Sequence, residues 1–303
     1  MCTVVAKHFD KLGWVIAKNR DQDYVSDISF DDKIHKNVGE ILILDDHDTG
    51  YKEGMNYKGL TIITASLTPN LDDETDRADG TKIYDALKLE TPEKAADYLV
   101  KHKLTGFLFI ANSDKFVLVE AGRTNDDKGG YHSKVRVVPK TEIVVRTNHG
   151  VDLAWAGFQY GIDEQQDIWR KSSESRKKLA EKVAKTAKDP VALLDGLASK
   201  MVDDLQMNVF RIESKPKQMR TIFQWALIPS KNVAIVRPIQ CKMKVRVSKE
   251  KIKIDVLDNT LIKKTYDGKV KHFSKLKITQ NKDYIMAVQE QLLRFKEFIG
   301  NDV

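Results

Sequence analysis

Apolar and polar residues alternate along most of this chain, and the period of alternation predicts the elements. Cys2-Thr3-Val4-Val5-Ala6 and Trp14-Val15-Ile16-Ala17 flank the polar, glycine-bearing turn Asp10-Lys11-Leu12-Gly13, which predicts a β-hairpin. The charged cluster Lys18-Asn19-Arg20-Asp21-Gln22-Asp23 follows as the hairpin's exit. Because a hairpin brings its ends together, that cluster lies within reach of Cys2. Further strand-like runs cover 38–44, 60–66, 106–111, 116–120, 134–138 and 143–147. Helical periodicity covers 81–87, 92–102 behind a Thr91 cap with Pro92 in the first turn, 167–185, and 190–201 behind Asp189-Pro190. Strand runs return at 221–228, 233–237, 242–247 and 252–256. The final segment, 283–299, carries an apolar stripe at helical spacing through Ile285, Val288, Leu292, Phe295 and Ile299. It packs on its own domain or makes a homo-oligomer contact. An order of β-rich, helical, β-rich and helical blocks fits an α+β class and a four-layer αββα sandwich. Neither an internal repeat nor a long low-complexity linker interrupts it, so one domain is expected over 1–303.

Composition narrows the class. The chain has 303 residues, 41% of them hydrophobic, and no run of about 18 apolar residues, so no membrane-spanning helix is expected. A basic stretch followed by an apolar one is missing at the start, so no signal peptide is expected and a cytoplasmic protein is. Charge is uneven. Residues 1–150 carry 21 Lys and Arg against 25 Asp and Glu, a net −4, and residues 151–303 carry +11. A basic half can mean nucleic acid or an acidic partner. The lysines of Lys242-Met243-Lys244-Val245-Arg246-Val247 and Lys251-Ile252-Lys253-Ile254, however, alternate with apolar residues as they do on a strand with one solvated face. Stacking aromatics are not interleaved with them, which argues against nucleic acid. The two cysteines, Cys2 and Cys241, make no disulfide framework, and the seven histidines share no metal-ligand spacing. No metal and no cofactor is expected.

The candidate chemistry starts at Cys2. Once Met1 is removed, a thiol and a free α-amine share one residue. An α-amine has an ordinary pKa near ~7.7–8.0, so close to neutrality it can act as general base for its own thiol. The other reading of Cys2 is a small buried residue opening a strand.

Cys2-Thr3 followed by Lys18-Asn19-Arg20-Asp21 resembles the opening of the choloylglycine hydrolase and penicillin V acylase group of N-terminal-nucleophile hydrolases, whose members begin Cys-Thr and carry Arg-Asn-x-Asp at this distance. Gly54-Met55-Asn56-Tyr57-Lys58-Gly59-Leu60 is similar to the Gly-Met-Asn-x-Lys-Gly-Leu turn of bile salt hydrolases. Arg146-Thr147-Asn148-His149 is similar to the Thr-Asn-His or Thr-Asn-x segment found across the group and in the acid ceramidase branch. Ser172-Ser173-Glu174-Ser175-Arg176 resembles the segment that delivers the group's late catalytic arginine. Four pieces in the right order, beginning at residue 2, carry the resemblance.

It implies an αββα fold and hydrolysis of a linear, non-peptide amide C–N bond through a thioester on Cys2, or acyl transfer from that thioester. Asp21 would anchor the amine or thiol. Lys18 and Arg176 would place positive charge beside the sulfur, and Asn148 would donate to the oxyanion. A second donor would come from the strand at 60–67, where Ser66 stands at the position of a bile salt hydrolase asparagine and offers a backbone N–H. Lys18 stands where the group has arginine, so a point charge replaces a planar fork. Trp155 and Phe158, together with Tyr160 and Trp169, either line an apolar acyl pocket or fill the core. A small-molecule amide is the expected partner. The competing reading is a catalytically silent binding protein that keeps the sandwich and holds an acidic partner with its basic half.

Overall fold

The computed structural model describes residues 1–67, 75–124, 130–212, 218–246, 251–266, 269 and 276–278. The chain begins with six strands: β1 (Cys2–Phe9), β2 (Gly13–Gln22), β3 (Asp27–His35), β4 (Gly39–Asp46), β5 (Lys52–Asn56) and β6 (Thr61–Ala65). Two helices, α1 (Thr75–Ala86) and α2 (Pro92–Lys101), lead to β7 (Gly106–Ala111), β8 (Phe116–Arg123), β9 (Tyr131–Val137) and β10 (Val144–Arg146). Then come α3 (Glu164–Thr186) and α4 (Pro190–Ala198). The remainder is β11 (Arg220–Ile228), β12 (Val233–Pro238), β13 (Lys242–Arg246), β14 (Lys253–Val256), α5 (Thr260–Tyr266) and β15 (Leu276–Ile278).

Six strands form one sheet in the order β10-β1-β2-β11-β12-β14, and nine form the other in the order β15-β13-β3-β4-β5-β6-β7-β8-β9. Period-2 alternation explains why they stack. Val4, Ala6, Trp14 and Ile16 of the first sheet pack with Phe30, Leu42, Leu44, Phe107, Phe109 and Leu118 of the second in one buried core. The intervening residues Val5, Val15 and Ala17 turn outward onto Leu179, Val183, Leu193, Leu194 and Leu197 of α3 and α4. On the far side, Ile41, Ile43, Ile62, Leu108 and Val119 meet Ile83, Leu87, Ala95, Ala96 and Leu99 around α1 and α2. The result is helix, sheet, sheet, helix: the four-layer αββα sandwich that the order of blocks predicts.

Several boundaries differ from the sequence expectation, each for a physical reason. β2 does not end at Ala17 but runs on through Gln22, and Lys18, Asn19, Arg20 and Asp21 are all buried within it. Each finds a polar partner, so the strand continues where polarity alone predicts an exit. The Gly54–Leu60 segment is partly strand. β5 reaches Asn56, and the turn itself is closed by Gly59 N–H donating to the Asn56 carbonyl at 2.8 Å with Gly59 at φ +86°. α3 begins three residues early because the Asp163 side chain caps it through Gln166 N–H. The Thr91 cap of α2 forms as expected. β13 and β14, the two lysine-alternating runs, enter different sheets, and each adds by parallel pairing. Met243 and Val245 are buried while Lys242 and Arg246 face solvent. The stripe at 283–299 lies outside the described residues. No described helix is long and apolar enough to cross a membrane.

Candidate active site

The hairpin fixes the first part of the site. Its antiparallel register pairs Phe9 with Gly13 and therefore Cys2 with Arg20 and Val4 with Lys18. Cys2 faces the core between the sheets. Arg20 pairs with Asp46 of β4, and Lys18 pairs with Glu53 of β5, so two buried ion pairs join the sheets. The Glu53 Oε1 that takes the Lys18 ammonium also accepts from Thr64 N–H and Thr64 Oγ1, both at 2.9 Å. The strand partner of Cys2 is thus Arg20 rather than Lys18, whose ammonium is held by Glu53.

The first residue is tied down as well. The Met1 α-amine donates to the Asp21 carbonyl at 2.9 Å, and Asp21 N–H donates to the Met1 carbonyl at 2.8 Å. Burial lowers the pKa of that amine to about 6, against favourable pulls from Cys2 and Asp21 and with the Arg211 and Arg176 cations adding to the drop. The free-base form is therefore populated at neutral pH.

Asn148 follows β10, a neighbour of β1 in the sheet. Its Oδ1 accepts from Cys2 N–H at 3.2 Å and from Arg176 Nη2 at 3.0 Å, and its Nδ2 donates to the Ser66 carbonyl at 2.8 Å. A guanidinium has no acceptor, so the atom facing Arg176 must be the oxygen, which leaves one Nδ2 hydrogen uncommitted among these contacts. The same residue is gripped from behind: Asn148 N–H donates to Ser173 Oγ at 2.9 Å. Ser173 Oγ also meets Thr147 Oγ1 and His149 Nδ1, both at 2.8 Å. Burial first, then Arg170, drives the His149 imidazole down to about 4, so it is neutral in this cluster. Gly157 makes the grip possible. It sits at φ +74°, where a Cβ would stand 2.5 Å from the Asn148 carbonyl oxygen, and it pairs with His149.

Arg176, from the middle of α3, is fully buried. Its Nη1 donates to the Cys2 carbonyl at 2.8 Å and to Thr3 Oγ1 at 3.1 Å. Burial and the neighbouring Arg211 press its pKa down to about 9, still well above neutrality. Asp21 lies 4.0 Å from Arg176 through Oδ2 and is held more closely by Arg211 Nε at 3.0 Å and Thr221 Oγ1 at 2.8 Å.

Of the residues predicted from sequence, Cys2, Asp21, Asn148 and Arg176 are therefore joined in one buried network, which Ser66 enters through its carbonyl as an acceptor and not through the N–H expected of it, while Lys18 stays on Glu53. The side chains of Trp155 and Phe158 take no part in that network, although the Phe158 backbone N–H donates to the Asn148 carbonyl at 3.1 Å; both residues stand on the loop between Asn148 and α3. Trp155 is partly buried against the inter-sheet core and stands edge-on to His132. Phe158 is buried and packs on Trp169 at 5.2 Å. Sequence reasoning missed Arg211, Thr221, Ser173 and the burial of Arg20. The position of Arg20 opposite Cys2 follows from the turn at 10–12 once the register is drawn. Nothing in the sequence connects Arg211 to a residue 190 positions earlier.

A buried thiol and a buried N-terminal amine, two arginines, one carboxylate and an oriented carboxamide make a site able to carry out nucleophilic acyl chemistry. No protein-family model matches the chain, and no curated protein matches it in sequence. Among solved structures, the penicillin V acylase of Agrobacterium tumefaciens is similar over 78% of this chain and 86% of its own, with 14% identity and a TM-score of 0.40. The C2A mutant of the conjugated bile acid hydrolase of Clostridium perfringens is similar over 78% of this chain and 89% of its own, with 13% identity and a TM-score of 0.41.

Proposed function

We propose that this protein is an N-terminal cysteine amidohydrolase that cleaves linear, non-peptide amides through a thioester on Cys2 after Met1 is lost. The observation that carries the reading is the convergence of Cys2, Asp21, Asn148 and Arg176, from β1, β2, the loop after β10 and α3, on one buried network.

The chemistry follows from the residues. Loss of Met1 turns the Cys2 amide nitrogen into an amine that keeps Asn148 Oδ1 as its acceptor, and it frees the Asp21 N–H and carbonyl that Met1 occupies. The amine takes the thiol proton, and the thiolate attacks the substrate carbonyl. Charge develops on the carbonyl oxygen, where the uncommitted Nδ2 hydrogen of Asn148 is the donor and a backbone N–H of the segment after β6 is the second. The C–N bond breaks as the protonated amine returns its proton to the leaving nitrogen. Water, activated by the same amine, then releases the acid and restores the thiol. An acceptor amine or alcohol in place of water would make the same thioester an acyl donor. Trp155, on the loop whose Leu153 and Ala156 share the inter-sheet core with Cys2, lines the acyl side in this reading.

A panel of acyl amides of graded chain length with a common amine reporter tests it. Turnover by the parent should fall by about 10³-fold or more in Cys2→Ala, with unfolding unchanged. Equal turnover in Cys2→Ala would end the reading.

A further inference from the structure

We propose that Arg211 is a positioning residue of the N-terminal site: with Thr221 it holds Asp21, which leaves Arg176 to hold Cys2 and Asn148. The inference rests on the amidohydrolase reading and adds to it a residue that lies in none of the motifs on which that reading stands.

The geometry divides the labour between two arginines. Asp21 gives one carboxylate oxygen to each partner: Oδ2 takes Arg211 Nε at 3.0 Å, and Oδ1 takes Thr221 Oγ1 at 2.8 Å. The clamp is closed on itself, since Arg211 N–H donates to Thr221 Oγ1 at 2.9 Å and Thr221 N–H donates to the Arg211 carbonyl at 3.0 Å. Thr221 sits in β11 at the register shift against β2, which aims its hydroxyl at Asp21. Arg176, at 4.0 Å from the same carboxylate, is left with its Nη groups on the Cys2 carbonyl, Thr3 and the Asn148 carboxamide. Without Arg211 the buried carboxylate would have Arg176 as its nearest cation. A bidentate pair between them would draw the fork off Asn148 Oδ1 and release the carboxamide from its orientation.

The charge count points the same way. Lys18 is matched by Glu53 and Arg20 by Asp46, whereas Arg176 and Arg211 share the single carboxylate of Asp21. Arg211 Nη2 is buried without a hydrogen-bond partner among the described residues. Among the described residues one buried positive charge is thus left over beside the N-terminus, costly unless the chemistry supplies an anion. A Cys2 thiolate or the substrate oxyanion supplies it. The same surplus acts on the α-amine. The charged groups that bear on the Met1 α-amine are Asp21 of β2, Cys2 of β1, Arg176 of α3 and Arg211 of the segment before β11, and both arginines disfavour its ammonium form. The Cys2 nitrogen that becomes the amine once Met1 is lost lies on Asn148 Oδ1, which Arg176 also holds.

Two readouts on the whole chain after loss of Met1, verified by intact mass, separate a positioning role from a merely structural one. In turnover, Arg211→Met should lower kcat by about 10²-fold, the cost of a misplaced reacting group, with KM within about 2-fold. The acid limb should move to higher pH, because removing a cation lets the amine hold its proton longer. Arg211→Lys should keep the acid limb of the parent and recover part of kcat. In the second readout, reductive methylation of the N-terminal amine against pH, followed by intact mass, needs no substrate. Its midpoint should rise in Arg211→Met and stay in Arg211→Lys. An unchanged methylation midpoint in a folded Arg211→Met protein overturns the proposal, as does a loss of kcat that Arg211→Lys reproduces in full. A parent inert towards every acyl amide counts against the hydrolase reading, while the methylation profile still decides the role of Arg211.

Discussion

In the proposed reaction Asn148 carries two functions on one side chain, and they can be pulled apart. Its Oδ1 organises Cys2 and Arg176, and its Nδ2 is the donor left for an oxyanion. Asn148→Asp keeps the acceptor and removes the donor, and its carboxylate would also answer the surplus buried cation. Its expected signature is a kcat lower by about 10²–10³-fold with KM little changed, and a melting temperature below the parent's because a carboxylate oxygen then faces the Ser66 carbonyl. Asn148→Ala should lose as much kcat and also unfold earlier, because a buried guanidinium loses an acceptor. Steady-state kinetics beside a melting curve tests both, and a rise in KM at constant kcat in Asn148→Asp would make the residue a substrate contact. Lys18 answers a different question. With its ammonium on Glu53 across the sheets, Lys18→Met strands a buried carboxylate and should cost about 3–5 kcal/mol in denaturant unfolding. Lys18→Met with Glu53→Gln should regain most of that. A Lys18→Met protein of parental stability but low kcat would instead put the ammonium at the thiol.

At the scale of elements, the loop between β10 and α3 acts as a brace for Asn148. Phe158 N–H donates to the Asn148 carbonyl at 3.1 Å, and the left-handed Gly157 lets the chain pass close enough to do so. Gly157→Ala adds a Cβ against backbone that cannot swing away. It should destabilise by about 1–3 kcal/mol and lower kcat by about 10-fold or more through displacement of the carboxamide. A variant that unfolds early yet keeps kcat while folded would separate the brace from the chemistry. The elements themselves were readable where packing follows the period: the hairpin, the strands of 106–120 and 221–237, and the capped helices. β3 was not readable, because Asp27, Asp31, Asp32 and Lys33 break the apolar pattern. The tail of β2 was not readable either. Its charged residues are stabilised by Glu53, Asp46 and Arg211, which lie far off in sequence, and a single chain's pattern shows polarity without showing the partner. The site divides along the same line. Cys2, Asp21, Asn148 and Arg176 stand in motifs with fixed spacing, whereas Arg211 and Thr221 act through contacts that only the fold creates.

For the molecule as a whole, the sandwich places the first strand in the middle of the architecture. β1 lies between β10 and β2, with the second sheet on one face and α3 on the other, so Cys2 and the residues after it are buried while Met1 is half-buried. The surroundings of Cys2 give it a reason to be chemical rather than simply apolar in the proposed reading: the cations, carboxylate and carboxamide around it are costly to bury and contribute little to packing. Mixing the purified protein with an activated acyl ester, quenching within one turnover and recording the intact mass of protein and of its N-terminal peptide tests that most directly. The predicted result is a single acyl adduct on a Cys2 that has lost Met1, decaying as product appears. An adduct on Cys241, or none on Cys2 while Met1 is absent, would contradict the assignment of Cys2 as nucleophile.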